Sequence, residues 1–385
     1  MPFREASVEQ QRAEFVELAG GGAVSVAEAC RRFGISRQTG YRWLGRAAAG
    51  EGLGDRPSRP RASPHRTPPA VEAAILALRA EHPTWGAAKL RAALARRGVA
   101  VPAVSTVHVV LARGGALSRE RPQTGRWTRF EREAPNELWQ IDFMGHRALA
   151  PGAGRVHPLA VIDDHSRYAL ALAACADQRR ETVRAVLEAA FRRHGLPWAV
   201  LADNGPPWGS SGAGGVTALE AWLIRLGVAP RHGRAYHPQT QGKVERFHGT
   251  VAAEAFGPAP FADLAAAQRA FDRFRGAYNR ERPHQALGFE PPAARWRASP
   301  RPFPEREPRP EYGPDDEVRL VRGQGAISFR GRPWFVGRGL AGEPVAVRPT
   351  AADGVFAVVY CLTRVATIDL VRGTVAGRGV TQVAE

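Results

Sequence analysis

Three acidic residues stand at positions where a carboxylate asks for a chemical reason. Asp142 lies in WQIDF, between Ile141 and Phe143, in a run that reads as a core-forming strand. A carboxylate in such a strand is costly to bury unless it is paired or holds a metal. Asp203, in VLADNG, follows an apolar strand at 199–202, and functional groups of α/β sheets collect at such carboxyl ends. Taken alone, Asp-Asn-Gly is a turn signal. Glu245 lies near the start of a helix in HPQTQGKVERFHGT, whose buried stripe is Val244, Phe247 and Val251. Glu245 falls about 100° from that stripe. It shares its face with Gly242, His248 and Gly249, and the glycines leave room above the carboxylate.

Three carboxylates with no cysteine beside them suit Mg²⁺ or Mn²⁺ rather than Zn²⁺. The reaction that needs them is phosphodiester cleavage, in which two such ions activate the attacking oxygen and stabilise the leaving one. Charge agrees with a polyanionic substrate. The 385 residues contain 54 basic and 37 acidic side chains, a net charge of +17, which favours DNA or RNA through counterion release. Nearly all the basic residues are Arg; Lys89 and Lys243 are the two lysines. Lys243 and Arg246 flank the Glu245 face and are candidates to hold phosphates, and His237 and Gln239 either touch DNA or order the loop before that helix. No Walker loop, dinucleotide fingerprint or Ser-His-Asp pattern competes.

The elements that must position these groups follow from periodicity. Residues 137–143, 157–162 and 168–173 read as three strands. A helix follows on Val183, Val186, Leu187, Ala190 and Phe191, closed by Gly195. Then come a strand at 198–202, a helix on Leu219, Trp222, Leu223 and Leu226, a short strand at 228–231, a helix from 241 and another at 261–278. This is a mixed-sheet α/β layer fold. Asp163 and Asp164 read as caps of the turn between strands, with Ser166 and Arg167 bracing it, and Trp139 and Trp222 read as core. Cys30, Cys175 and Cys361 form no C-x-x-C pair and read as apolar fillers.

Residues 1–51 read as helices, with a capping-box spacing at Ser25 and Glu28 and a break at Gly34. Ser36 caps a helix from Arg37. This is a helix-turn-helix pattern, and Arg37, Gln38, Thr39, Tyr41 and Arg42 on the second helix suit phosphate and base-edge contacts. Residues 52–70 form a linker. Residues 71–117 form a second helical, helix-turn-helix-like domain or a plain packing bundle. A Pro-rich linker at 298–314 leads to short strands at 318–321, 326–330, 333–336, 344–347, 355–360 and 367–370 within residues 315–375, the pattern of a small β-barrel. No apolar run is long enough to span a bilayer and the first residues form no secretory core, so the expected compartment is the cytoplasm.

W-x-x-D-F, V-I-D-D-H-S-R-Y, L-x-D-N-G and Y-H-P-Q-T-Q-G-K-V-E-R, followed by YNRERPHQALGFEPPAARW, resemble the signature of the retroviral-integrase superfamily. Within it the order is most similar to that of bacterial insertion-sequence transposases. The resemblance covers residues 130–297 closely and the N-terminal helices loosely. It implies a ribonuclease-H-like core with Asp142, Asp203 and Glu245 as catalytic metal ligands for Mg²⁺ or Mn²⁺, two ions in all. It also implies generation of 3′-hydroxyls at element ends, then their attack on target DNA, so the partner is double-stranded DNA at both ends and target. Synapsis of two ends implies a homodimer or higher oligomer, bound to DNA in the nucleoid. The 41 residues between Asp203 and Glu245 exceed the family's usual spacing. The surplus falls in the Gly-rich piece at 209–215, and a surface loop is inexpensive to lengthen. Two other functions share parts of this pattern: a DNA-binding regulator derived from a transposase, and an RNA-directed nuclease on the same core.

Overall fold

The computed structural model describes residues 7–56, 66–117, 131–209, 215–233 and 242–382, with side chains through residue 376. The chain divides into two units, Met1–Arg66 and Thr67–Glu385.

The first unit holds α1 (Val8–Gly20), α2 (Val26–Arg32) and α3 (Arg37–Ala48). Each starts at a serine, and the hydroxyls of Ser7, Ser25 and Ser36 accept from the backbone N–H three residues on, satisfying donors the helix leaves free. Only half of the expected Ser25–Glu28 capping box forms, because the Glu28 carboxylate turns to Arg31 and Arg32. Gly34 makes the α2–α3 turn at φ 64°. Gly40 lets α3 approach its neighbours: a Cβ there would lie 2.5 Å from Cys30 Sγ and 2.9 Å from Phe15 Cζ. Phe15, Ala29, Cys30 and Trp43 form the buried centre.

The second unit opens with α4 (Pro69–Glu81), α5 (Ala87–Arg96) and α6 (Val104–Arg113), packed on Ile75, Leu78, Trp85, Leu90, Val107 and Leu111. This bundle is pinned to the α/β core. Arg96 donates to the carbonyls of Glu281 and Phe289 at 2.8 and 2.7 Å, and the Thr84 hydroxyl to Glu254 at 2.6 Å.

The α/β core consists of β1 (Trp139–Phe143), β2 (Arg147–Ala148), β3 (Arg155–Asp163), β4 (Ala169–Cys175), α7 (Arg180–His194), β5 (Ala199–Ala202), α8 (Ala218–Arg225), β6 (Ala229–His232), α9 (Gly242–Glu254) and α10 (Leu264–Arg280). The sheet runs β4-β3-β1-β5-β6, with β2 on the start of β3. β1 and β4 are antiparallel to β3, while β5 is parallel to both β1 and β6. This is the ribonuclease-H-like arrangement. α7 and α8 bury Leu187, Phe191, Trp222 and Leu223 on one face, against Trp139 and Ile141. α9 and α10 bury Val244, Phe247, Val251 and Phe271 on the other. Because side chains alternate along a strand, Gln140 and Asp142 point to the α9 side. Trp139 and Trp222 are core residues, 0% and 4% exposed.

Residues beyond the core depart from expectation in two ways. The Pro-rich segment after 298 is strapped onto the core: the Leu196 N–H donates to the Arg301 carbonyl at 2.7 Å, and the Arg301 guanidinium to the carbonyls of Pro197 and Gly227. The expected barrel does not close among the described residues. Strands β7 (Glu317–Leu320), β10 (Pro344–Pro349), β11 (Val355–Tyr360), β12 (Thr363–Asp369) and β13 (Thr374–Gln382) form an open antiparallel sheet in the order β13-β12-β11-β10-β7, and β8 (Ala326–Phe329) and β9 (Arg332–Phe335) form a separate hairpin. The sheet buries Val345, Val347, Val358 and Tyr360 under Ile327, Phe329 and Trp334 of the hairpin and Ala221 and Ile224 of α8. The apolar face is therefore covered without joining the edge strands. Arg225 of α8 adds a polar anchor, donating to Tyr360 Oη at 2.9 Å and to Glu307 at 2.7 Å and pairing with Glu343. Among the described residues no helix is long and apolar enough to cross a membrane.

Candidate active site

Strand register brings the first two acids together. β1 pairs with β5 in parallel, Trp139 beside Val200 and Gln140 beside Leu201. Continued two residues beyond the last paired position, that register would bring Asp142 opposite Asp203, just past the end of β5. The third acid comes from α9, which packs against β1 and β3. Its apolar stripe faces the sheet, and Glu245, one residue past Val244, stays exposed at the edge of that contact. Gly242 and Gly249 have nothing within 4 Å of where a Cβ would sit, so the space beside Glu245 is open.

Electrostatics register the convergence. The Asp142 carboxyl is pushed up to about 7, first by burial, then by the negative charge of Asp203, with Glu245 adding a smaller push; a backbone hydrogen bond at Phe143 opposes them. Like charges this close favour either a shared proton or a cation. The donors are all hard carboxylate oxygens, the set that fits Mg²⁺ or Mn²⁺. Among the described residues no three His, Cys, Asp or Glu side chains form a ready-made metal cage. Mg²⁺ does not require one, since it binds through one or two carboxylates and completes its shell with water and substrate phosphate.

Neighbouring residues that sequence reasoning left without a role hold the acids in place. His248, one turn along α9 from Glu245, sets Nδ1 3.8 Å from Asp142 Oδ2. Burial pulls its ring down to about 4, so it is neutral near pH 7. His232, at the end of β6, lies with Nδ1 2.8 Å from the Asp203 carbonyl oxygen and Nε2 2.8 Å from Glu220 Oε1. A carbonyl oxygen only accepts, so Nδ1 donates and pins the backbone at Asp203. Asn204 adds a bond from Nδ2 to the Gly233 carbonyl at 2.8 Å. Trp208, buried against Phe143 at 5.8 Å between ring centroids, anchors the chain after Asp203. Asn204 is legible as part of the Asp-Asn-Gly turn, but none of these contacts is, because each joins segments distant in sequence.

The second acidic pair has structural work. Asp163 is fully buried and accepts from Ser166 N and Oγ at 2.7 and 2.6 Å and from Asn136 N at 2.8 Å, closing the turn. Ser166 thus braces that turn, while Arg167 pairs with Glu131 at 2.8 Å. Asp164 instead reaches across to Gln140 Nε2 at 2.8 Å and Lys243 Nζ at 2.5 Å. Lys243, expected on an open, phosphate-facing surface, is in this structure turned inward onto Asp164. Arg246 is exposed, and His237 and Gln239 lie outside the described residues. In the first unit Arg37, Gln38, Tyr41 and Arg42 on α3 are exposed, Tyr41 at 61%. Thr39 is partly buried, its hydroxyl 2.9 Å from Ser36 Oγ at the helix cap. The thiols of Cys175 and Cys361 are pushed up to about 11 by burial, as fits inert fillers.

Comparison with known proteins places this geometry. The description "Integrase core domain" matches residues 132–238 and again 226–292. "IS481 family transposase, C-terminal domain" matches 316–376, "Helix-turn-helix domain" 11–61 and "Homeodomain-like domain" 39–111. The insertion element IS407 uncharacterized 31.7 kDa protein of Burkholderia multivorans is 31% identical over 247 residues, covering 62% of this chain and 86% of that protein. The insertion element IS476 uncharacterized 39.2 kDa protein of Xanthomonas euvesicatoria is 31% identical over 174 residues, 45% of this chain and 48% of that one. Among solved structures, the catalytic core domain of BIV integrase is similar at 19% identity, covering 41% of this chain and 92% of that one with a TM-score of 0.31. The chain belongs to the insertion-sequence transposases that carry a retroviral-integrase-like core, enzymes of DNA transposition and integration.

Proposed function

We propose that Asp142, Asp203 and Glu245 are the catalytic carboxylates and would hold two Mg²⁺ or Mn²⁺ ions. The observation that carries this reading is the raised Asp142 carboxyl, pushed up by burial and then by the charges of Asp203 and Glu245, beside the open space along α9. When bound, the ions supply charge stabilisation at the reacting phosphate and activation of the attacking oxygen. The chain's own part is positioning. Asp142 is held in the central strand, Asp203 by the His232 bond to its carbonyl, and Glu245 by the packing of α9. The neutral His248 ring lies against Asp142 and partial burial keeps water from that carboxylate, which strengthens its pull on a cation.

The DNA partner is double-stranded: element ends are read by α3 through Arg37, Gln38, Tyr41 and Arg42, and the ends and target meet at the acidic site. His237, Gln239, Lys243 and Arg246 enter this reading with unequal support. Arg246 is exposed beside Glu245 and is the best-supported phosphate contact, whereas Lys243 serves the fold. Joining two ends calls for at least two protomers on DNA, working in the bacterial cytoplasm where that DNA lies.

The test is nicking and strand transfer on labelled DNA carrying the element's ends, with Mg²⁺ and with Mn²⁺, for wild type, Asp142→Asn, Asp203→Asn and Glu245→Gln. Product from wild type and none from any variant supports the reading. Wild type that binds ends but never cuts with either ion would overturn it in favour of a DNA-binding regulator.

A further inference from the structure

A buried polar brace joins the strand of Asp142 to the helix of Glu245. Gln140, two residues before Asp142, is fully buried in β1 between β3 and β5. Its Nε2 donates to Asp164 Oδ1 at 2.8 Å, and its Oε1 accepts from the backbone N–H of Val244 at 3.3 Å. That N–H is in the first turn of α9, where helix donors lack intrahelical partners. Asp164, also fully buried, forms an ion pair with Lys243, Nζ to Oδ1 2.5 Å, and accepts from the Arg132 N–H at 2.8 Å. Two adjacent residues of α9, one and two positions before Glu245, are thus tied to one amide and one carboxylate beside it.

Nothing in α9 itself favours Lys243 where it stands. A cation in the first turn opposes the helix dipole, and burial pulls the ammonium down to about 8. In a chain whose basic residues are otherwise almost all Arg, the retained lysine fits the geometry. A single ammonium point charge can enter the narrow space over Asp164, where a planar guanidinium fork would need more room and more acceptors.

We propose that Gln140, Asp164 and Lys243 are positioning residues that set the separation of Asp142 and Glu245 and thereby the affinity of the site for its metal ions. This rests on the metal-site reading above. A strand and a helix that meet mainly through apolar contacts can slide by fractions of an ångström, which burial alone resists weakly because it is non-directional. Directed hydrogen bonds to a buried carboxylate resist it strongly.

The experiment is a Mn²⁺ titration of the full-length protein followed by electron paramagnetic resonance of the free ion, alongside Mn²⁺ dependence of nicking. The variants are Asp164→Asn/Lys243→Met, which removes both buried charges together, and Gln140→Met, which keeps the ion pair and the volume and guards against failure to fold in the first. Asp203→Asn is the control for the metal site itself. Both brace variants are expected to bind end DNA as wild type does, to need roughly 10-fold more Mn²⁺ for half-saturation, and to regain nicking at high Mn²⁺, the size of effect that outer-shell partners of a metal site typically have. Wild-type Mn²⁺ affinity in folded Gln140→Met and in the double variant, with affinity lost in Asp203→Asn, would overturn the brace and leave the metal site standing. Absence of Mn²⁺ binding by wild type, or binding indifferent to Asp203→Asn, would overturn both.

Discussion

Asp142 should weaken the metal-free fold, and by an amount that depends on pH. Its carboxyl is pushed up to about 7 in the folded chain, against 3.8 for an aspartate open to solvent. Below about pH 4 the group is protonated in both folded and unfolded states and costs nothing. Between the two values the unfolded chain ionises while the folded one retains its proton, so stability falls as pH rises. Above about 7 the cost is complete. At about 1.4 kcal/mol per unit the displacement corresponds to an upper limit of about 4 kcal/mol, and residual solvent contact and relaxation should leave about 2 kcal/mol. The perturbation is Asp142→Asn, nearly isosteric and always neutral. In EDTA at pH 8 its urea midpoint should exceed that of wild type, and the gap should shrink towards pH 5. Adding Mg²⁺ should stabilise wild type and leave the variant unmoved, since metal binding needs the ionised carboxylate. A variant no more stable than wild type at pH 8, or a gap that does not change with pH, would refute the reasoning.

Other substitutions probe the parts that present this site. Gly40→Val should overpack α3 against Phe15 and Cys30, costing about 1–3 kcal/mol and abolishing end binding in a gel-shift assay. Gly195→Ala combines φ 78° with a Cβ 2.7 Å from the carbonyls of Ser299 and Arg301; a loss of about 1–3 kcal/mol in chemical denaturation is expected, with the released strap more open to protease. Arg225→Leu should leave Glu343 and Glu307 without their shared cation, and limited proteolysis should then separate the C-terminal sheet from α8 faster than in wild type. Tyr41→Ala, on an exposed face, should keep stability within about 0.5 kcal/mol while lowering affinity for element ends.

Much of the α/β core was legible because its strands and helices carry strong, uninterrupted periodicity. The run Val183, Val186, Leu187, Ala190, Phe191 falls within α7, and 157–162 lies inside β3. Element ends shifted by a few residues, as hydrogen bonds rather than side chains decide them. β13 escaped notice because TVAGRGVTQ carries two glycines at 377 and 379, which blunt a strand signal. Strand spacing suggests a barrel at the C-terminal sheet because it says nothing of what covers an apolar face, and here a hairpin and α8 cover it. The prolines after 298 suggest a linker, whereas its ordering comes from carbonyls of the core that Arg301 reaches.

The sequence by itself determined the family and the candidate acids: three carboxylates, each placed by a local pattern on a strand, a strand end and a helix start, in a chain with a net charge of +17. Those features are written in residue type and short-range periodicity, which need no tertiary contact to be read. Only the tertiary structure decided how the acids meet. The parallel pairing of β1 and β5 brings the strand of Asp142 beside the strand that Asp203 follows. The Gln140–Asp164–Lys243 brace turns a lysine that looked available to phosphate into an internal tie, and His232 and His248 become neighbours of acids at least 29 residues away from one of them and 106 from the other. Long-range pairings of this kind depend on which surfaces the sheet and helices bury together, and no local stretch of sequence carries that information.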